Sequence, residues 1–179
     1  MLTRRIGFLA LATVVFGGGS AAVMQSSAAA APAAPPNTHG IAHLNAQQVN
    51  LPAGAWTDIP VQVVLPRAGT YDLDADVRGR LSGVPSVNAY ITARLWDVST
   101  GAAVPQSERL VYQMIDLNTG AAEAGGNGTA PISELIRVNG PTTIRIQAVH
   151  YDAVGGASIA QIYSDTVGYT SLRYDRVGP

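Results

Sequence analysis

The segment GTYDLDADVRGRL, residues 69–81, alternates apolar and polar side chains almost without a break. Tyr71, Leu73, Ala75 and Val77 take one parity, and Asp72, Asp74, Asp76 and Arg78 take the other. Only an extended backbone puts every second side chain on one side, so this segment predicts a strand with one dry face and one wet face. The same rhythm recurs. Ile59, Val61, Val63 and Leu65 line up in AWTDIPVQVVLP, and Val87, Ala89, Ile91, Ala93 and Leu95 line up in VNAYITARLWDV. SERLVYQMID is apolar on both sides and reads as a central strand. LNTGAAEAGGNGTA, residues 117–130, reads as a loop. ISELIRV and TTIRIQAVHYD are joined across Asn139-Gly140-Pro141, a turn signal, and ASIAQIYSD and GYTSLRYDRV follow around another short turn. No segment sustains a 3.6-residue period. The expectation is all-β: an antiparallel β-sandwich of jelly-roll type with about eight strands.

The first residues have a different character. MLTRR is a short basic stretch, IGFLALATVVF is an apolar run too short to span a bilayer, and small residues follow to Ala28-Ala29-Ala30. That order predicts a secretory signal peptide over residues 1–30, cleaved after Ala30. No later apolar run reaches the length of a membrane-spanning helix, so the remainder is expected to be released to the outside without membrane insertion. Removing Arg4 and Arg5 leaves 9 Arg against 12 Asp plus Glu, a net charge of −3, and there is no lysine. Such a surface argues against nucleic acid and anionic lipid as partners, because both need a positive patch. The chain has no cysteine, which excludes disulfides, thiol nucleophiles and thiolate metal sites. Its stability must come from a packed core.

The chemistry-bearing residues are few. Asp72, Asp74 and Asp76 stand in a row along a strand, where calcium would need converging oxygens and a sharp glycine turn. They read as a solvated face, with Arg78 and Arg80 as nearby charge compensation. His39 and His43 are four apart, but Gly40 and the Pro-rich approach disfavour the helix that zinc spacing would require. His150 closes the apolar face of its strand and reads as a core-edge histidine. No serine sits in a G-x-S-x-G elbow. Glu108, Glu123 and Glu134 leave a carboxylate-pair hydrolase open as an alternative without any motif for it. No metal or cofactor is expected. Tyr90 and Trp96 share the non-aliphatic face of their strand. They are either a contact surface for carbohydrate or protein, or large residues that one sheet carries there.

APAAPPNTHGIAHLNAQQVN, residues 31–50, follows the predicted cleavage site. Residues 31–48 read as an extended N-terminal arm and 49–179 as the sandwich. Pro35 and Pro36 stiffen the arm, and Ile41, Leu44 and Val49 offer apolar area that a plain tail does not need. With His39 and His43 they form the candidate partner-binding residues, docking in extended form into another protein.

From AWTDIPVQVVLP through VNAYITARLWDVSTG and VNGPTTIRIQA to SDTVGYTSLRYDRV, the body resembles the jelly-roll domains of the C1q, tumour-necrosis-factor and phage-tail type. That resemblance lies in strand rhythm and implies binding of proteins or glycans, commonly as trimers. In its layout of signal peptide, arm and sandwich, the chain is also similar to the small bridging subunits of Streptomyces umbrella toxin particles. This second resemblance implies an antibacterial, actinobacterial setting. It implies an N-terminal strap inserted into a lectin-like subunit, with the body holding a repeat-bearing toxin subunit. The functional expectation is therefore a secreted, non-catalytic adaptor. A trimeric glycan- or receptor-binding head and a secreted hydrolase are the alternatives.

Overall fold

The structure, a computed structural model, describes residues 38–45 and 48–179. The predicted signal peptide, its cleavage region, Pro35 and Pro36 lie outside these residues. Among the described residues eleven strands are present: β1 His39–His43, β2 Gln48–Asn50, β3 Thr57–Leu65, β4 Gly69–Gly83, β5 Val87–Asp97, β6 Ala102–Ala103, β7 Arg109–Asp116, β8 Ala124–Val138, β9 Thr142–Val154, β10 Ile159–Tyr163 and β11 Ser171–Gly178.

They form two antiparallel sheets, and some rows are made of two strands end to end. In the first sheet β4 carries β8 along one edge, while β11 and then β10 share its other edge; β1 and β2 extend those two in turn. In the second, β9 separates β3 from β5, and β6 and β7 share the far edge of β5. Each sheet is thus four rows wide. Numbering the eight rows along the chain gives the order 1-8-3-6 in one sheet and 2-7-4-5 in the other. The chain crosses repeatedly between the sheets, which is the jelly-roll arrangement and matches the expected fold class.

Alternation explains why the sheets face each other. Ile59, Val61 and Leu65 of β3, Tyr71, Leu73 and Val77 of β4, Val87, Ile91 and Leu95 of β5, and Ile144 and Ile146 of β9 are all buried in one core. Each such side chain contributes about 1.5–3 kcal/mol of burial. Pro60 interrupts β3, which lies at a sheet edge. Between Asp58 and Gln62 the register with β9 shifts, as the missing proline N–H requires.

Four expectations need correction. Of the expected arm, residues 31–48, the described part (38–45 and Gln48) is not separate from the sandwich. β1 pairs with β11, β2 pairs with β10, and the Leu44 amide donates to the Thr170 carbonyl at 2.8 Å. Leu44 is 1% exposed in the core, because the alternation continues through the bend. Residues 124–130 are not loop: they are the first half of β8, paired with Val77–Gly83. Here the glycines serve close approach. A Cβ on Gly126 would run into the Tyr112 hydroxyl, and one on Gly128 would lie 2.8 Å from the Val111 carbonyl oxygen. β7 is an edge strand rather than a central one, hydrogen-bonded to β5 alone, and its apolar Leu110 and Ile115 are exposed. Finally, Arg78 and Arg80 do not neutralise the aspartate row. Arg78 pairs with Asp165 and Arg80 bonds to Gln161, whereas Asp74 is paired with Arg173.

Candidate binding face

The outward side chains of β5 and β9 meet in cross-strand pairs: Tyr90 with Tyr151, Thr92 with Val149, Arg94 with Gln147, and Trp96 with Arg145. On β3, Asp58 stands beside Gln147 and Gln62 beside Arg145. The chain before β3 adds Trp56. Its course is set by a bridge between Ala53 and His150, by the Gly54 amide donating to the His150 carbonyl at 2.8 Å, and by the His150 ring. That ring is buried, with Nδ1 2.7 Å from the Leu51 carbonyl oxygen and Nε2 3.3 Å from Asp152 Oδ2. The core-edge reading of His150 holds.

These positions place the Arg94 guanidinium between two indoles, 3.8 Å from the Trp56 ring centre and 4.7 Å from that of Trp96. Arg94 Nε and Nη2 donate to Gln147 Oε1 at 3.0 and 2.9 Å. Gln147 Nε2 donates to Asp58 Oδ1 at 2.8 Å, and the other Asp58 oxygen accepts from Arg145. Arg145 also donates twice to Gln62 Oε1, at 3.1 and 2.9 Å. The result is an unbroken relay from two tryptophans to Gln62. Beside it, where Pro60 shifts the register, a shallow depression of about 400 Å³ is lined by Asp58, Ile59, Pro60, Gln62 and Arg145. Tyr90 and Tyr151 lie 5.3 Å apart at 35°, further along the same face.

The electrostatics follow from the partners. Arg94 is balanced by two π faces and a neutral amide, while Arg145 shares the single carboxylate of Asp58. The patch therefore carries a net positive charge on a chain whose formal net charge is −1. Each cation–π contact is worth about 0.5–2 kcal/mol, depending on its exposure. Together they hold the aromatic rings in fixed positions, as a contact surface requires.

Tyr90 and Trp96, the residues anticipated from alternation, do lie on this one face. The N-terminal candidates are divided: His39, Ile41 and His43 are exposed on the outer side of β1, Leu44 is in the core, and Val49 is packed partly against it. His43 packs its ring 5.5 Å from that of Tyr169. Trp56, Asp58, Arg145 and Gln147 were not singled out by sequence reasoning. The one available signal was the recurrence of Arg and Gln at outward positions of neighbouring strands. Among the carboxylates once considered for hydrolysis, Glu134 is paired with Arg109 at 2.9 Å. Glu123 accepts hydroxyls from Ser158 and Ser82, which hold its carboxyl below the usual range. Among the described residues no group of three or more His, Asp or Glu side chains is placed to hold a metal ion.

No family model matches the chain, and no curated protein matches it. Among solved structures, that of the Eiger TNF of S. frugiperda is similar in fold, at a TM-score of 0.41 and 8% identity, covering 79% of this chain and 94% of that one.

Proposed function

We propose that this chain is a secreted, non-catalytic binding protein that works as an adaptor, contacting a partner through the outer face of the second sheet. The Trp56–Arg94–Trp96 stack carries this reading. Tryptophan, tyrosine and arginine dominate binding energy at protein interfaces, and here they are immobilised before any partner arrives. Rings already ordered lose little entropy on binding, so a surface without a deep pocket can still bind well. What remains of the layout resembling toxin-particle bridging subunits, a signal-peptide pattern followed by a sandwich, supports an adaptor that joins subunits of an extracellular, antibacterial complex. The signal-peptide pattern of residues 1–30 supports secretion.

The test is affinity capture of a secreted partner by the full chain, repeated with Arg94→Ala and Trp96→Ala. Capture lost in both variants, with unchanged circular dichroism, supports the reading. Capture retained in both refutes it. Hydrolysis of a glycoside, ester or peptide substrate that disappears in Glu123→Gln would replace it with an enzyme. A stable homotrimer by sedimentation would favour a receptor-binding head.

A further inference from the structure

The outer face of the first sheet is built on opposite electrostatic terms. Asp72 of β4 and Asp175 of β11 are directly paired across the ladder, and so are Asp74 with Arg173 and Asp76 with Ser171. Like charges placed directly opposite destabilise a sheet. Yet among the described residues neither Asp72 nor Asp175 nor Asp76 forms an ion pair: Arg173 is engaged with Asp74 and Arg78 with Asp165, while Arg137, opposite Thr70 in the row beside Asp72, and His39, opposite Asp175, pair with none of them. Exposed apolar groups border the carboxylates. Leu135 of β8, 67% exposed, shares the Asp72 row, and Ile41 of β1, 57% exposed, shares the Arg173 row.

A rigid turn stands at one side. Arg78 donates to Asp165 at 2.6 and 3.3 Å, to the Tyr163 hydroxyl at 3.1 Å and to the Gly168 carbonyl. The Arg78 amide donates to Thr170 Oγ1 at 3.0 Å. This clamp fixes residues 164–170 while Tyr169, half exposed, lies against His43 at the edge of the face. Asp72 and Asp76 are four residues apart on one strand, about 13 Å at strand rise. That spacing is too wide for one ion, but it suits side chains projecting from another extended backbone.

We propose that this face docks an extended, cationic segment of a partner protein, with Arg or Lys side chains against Asp72, Asp76 and Asp175 and aliphatic side chains against Leu135 and Ile41. Charge complementarity selects the occupant: unneutralised carboxylates interspersed with exposed aliphatic groups match the reverse pattern of Arg or Lys alternating with Leu or Val. The surface lies on the opposite sheet from the tryptophan face, so the two assignments stand or fall separately.

The experiment uses the full chain and a fluorescein-labelled peptide of alternating Arg and Leu, with the Glu–Leu peptide as control. Wild type should bind the Arg–Leu peptide at low salt. Binding should weaken about tenfold in the double variant Asp72→Asn/Asp175→Asn, as expected for losing close charge pairs. It should weaken also in Leu135→Ser and remain unchanged in Val64→Ser, an exposed site on the second sheet. The double Asn variant relieves a repulsion, so its melting temperature should stay at or above wild type, which separates lost binding from lost fold. Equal affinity in wild type and the double variant, or equal binding of the Glu–Leu peptide, would overturn the proposal. Complete displacement by millimolar calcium would overturn it too, by assigning the carboxylates to a small cation.

Discussion

Leu44→Ala distinguishes an integral strand from a free arm. Leu44 is 1% exposed and lies in the same core cluster as Leu172 and Tyr174, whereas Ile41, three residues earlier, is 57% exposed. Truncating a buried leucine costs about 2–5 kcal/mol, comprising lost transfer energy and the cavity left behind. The backbone bond from the Leu44 amide to Thr170 survives the change, so the side chain alone is tested. For a domain of this size each kcal/mol lowers the melting temperature by about 2–4 °C. A loss of about 3 kcal/mol therefore predicts a fall of about 6–12 °C, read by thermal circular dichroism and checked by urea titration. Ile41→Ala, at an exposed site, should stay within about 0.5 kcal/mol of wild type. The reasoning is refuted if the two variants melt together near wild type, because Leu44 would then not be packed. Deleting residues 38–45 removes the same side chain and uncovers the edge of β11. It should destabilise the domain more than Leu44→Ala does.

Arg78 holds the Asp165 carboxyl below its ordinary value, mainly through their hydrogen bond. A depressed folded-state pKa means the stabilisation is complete above the unfolded value of about 3.9 and is lost as pH falls through the folded one. The protection factors of the Val167 and Gly168 amides, which donate to Asp165 at 2.8 and 3.1 Å, should therefore be steady from pH 7 to 5 and fall only below about pH 4. In Arg78→Met they should be low throughout. Gly128→Ala pushes a methyl group against the Val111 carbonyl and should cost about 1–3 kcal/mol in urea unfolding, while Gly140→Ala, where nothing lies within 4 Å, should cost far less. Arg94→Lys loses both the planar stack and the paired donation to Gln147, so tryptophan near-ultraviolet dichroism should weaken even though the charge is kept.

Much of the fold was legible because burial in a sandwich acts on alternate residues. Tyr71, Leu73, Ala75 and Val77 could be assigned to a core, and Asp72, Asp74 and Asp76 to solvent, before any partner strand was known; both assignments hold. The glycine run 125–128 was illegible for the opposite reason. Composition marks it as loop, yet it pairs with β4, and Gly126 and Gly128 are there because Tyr112 and the Val111 carbonyl of β7 leave no room for a Cβ. The segment around Leu44 misled similarly. Three apolar residues in a polar stretch fit a partner's groove and the chain's own core equally well, and only the hydrogen bonds to β11 and Thr170 separate the two. Trp96 and Tyr90 were assigned to the correct face, but the stack was not foreseeable. Trp56, Arg94 and Gln147 come from three separate segments, and their meeting depends on register.

By itself the sequence determined the local conformations and the two-sidedness of nearly every strand. Alternation, turn residues and the absence of cysteine are properties of short windows and of composition, and they require an all-β domain held by packing alone. The tertiary structure decided which strands became neighbours, which polar side chains met across them, and which edge strand was covered. Those outcomes depend on pairing between residues about a hundred or more positions apart, as with Asp74 and Arg173 or Gln161 and Asn50. A one-residue slip of β5 would turn Arg94 into the core side of its sheet, and one of β4 would do the same to the aspartate row.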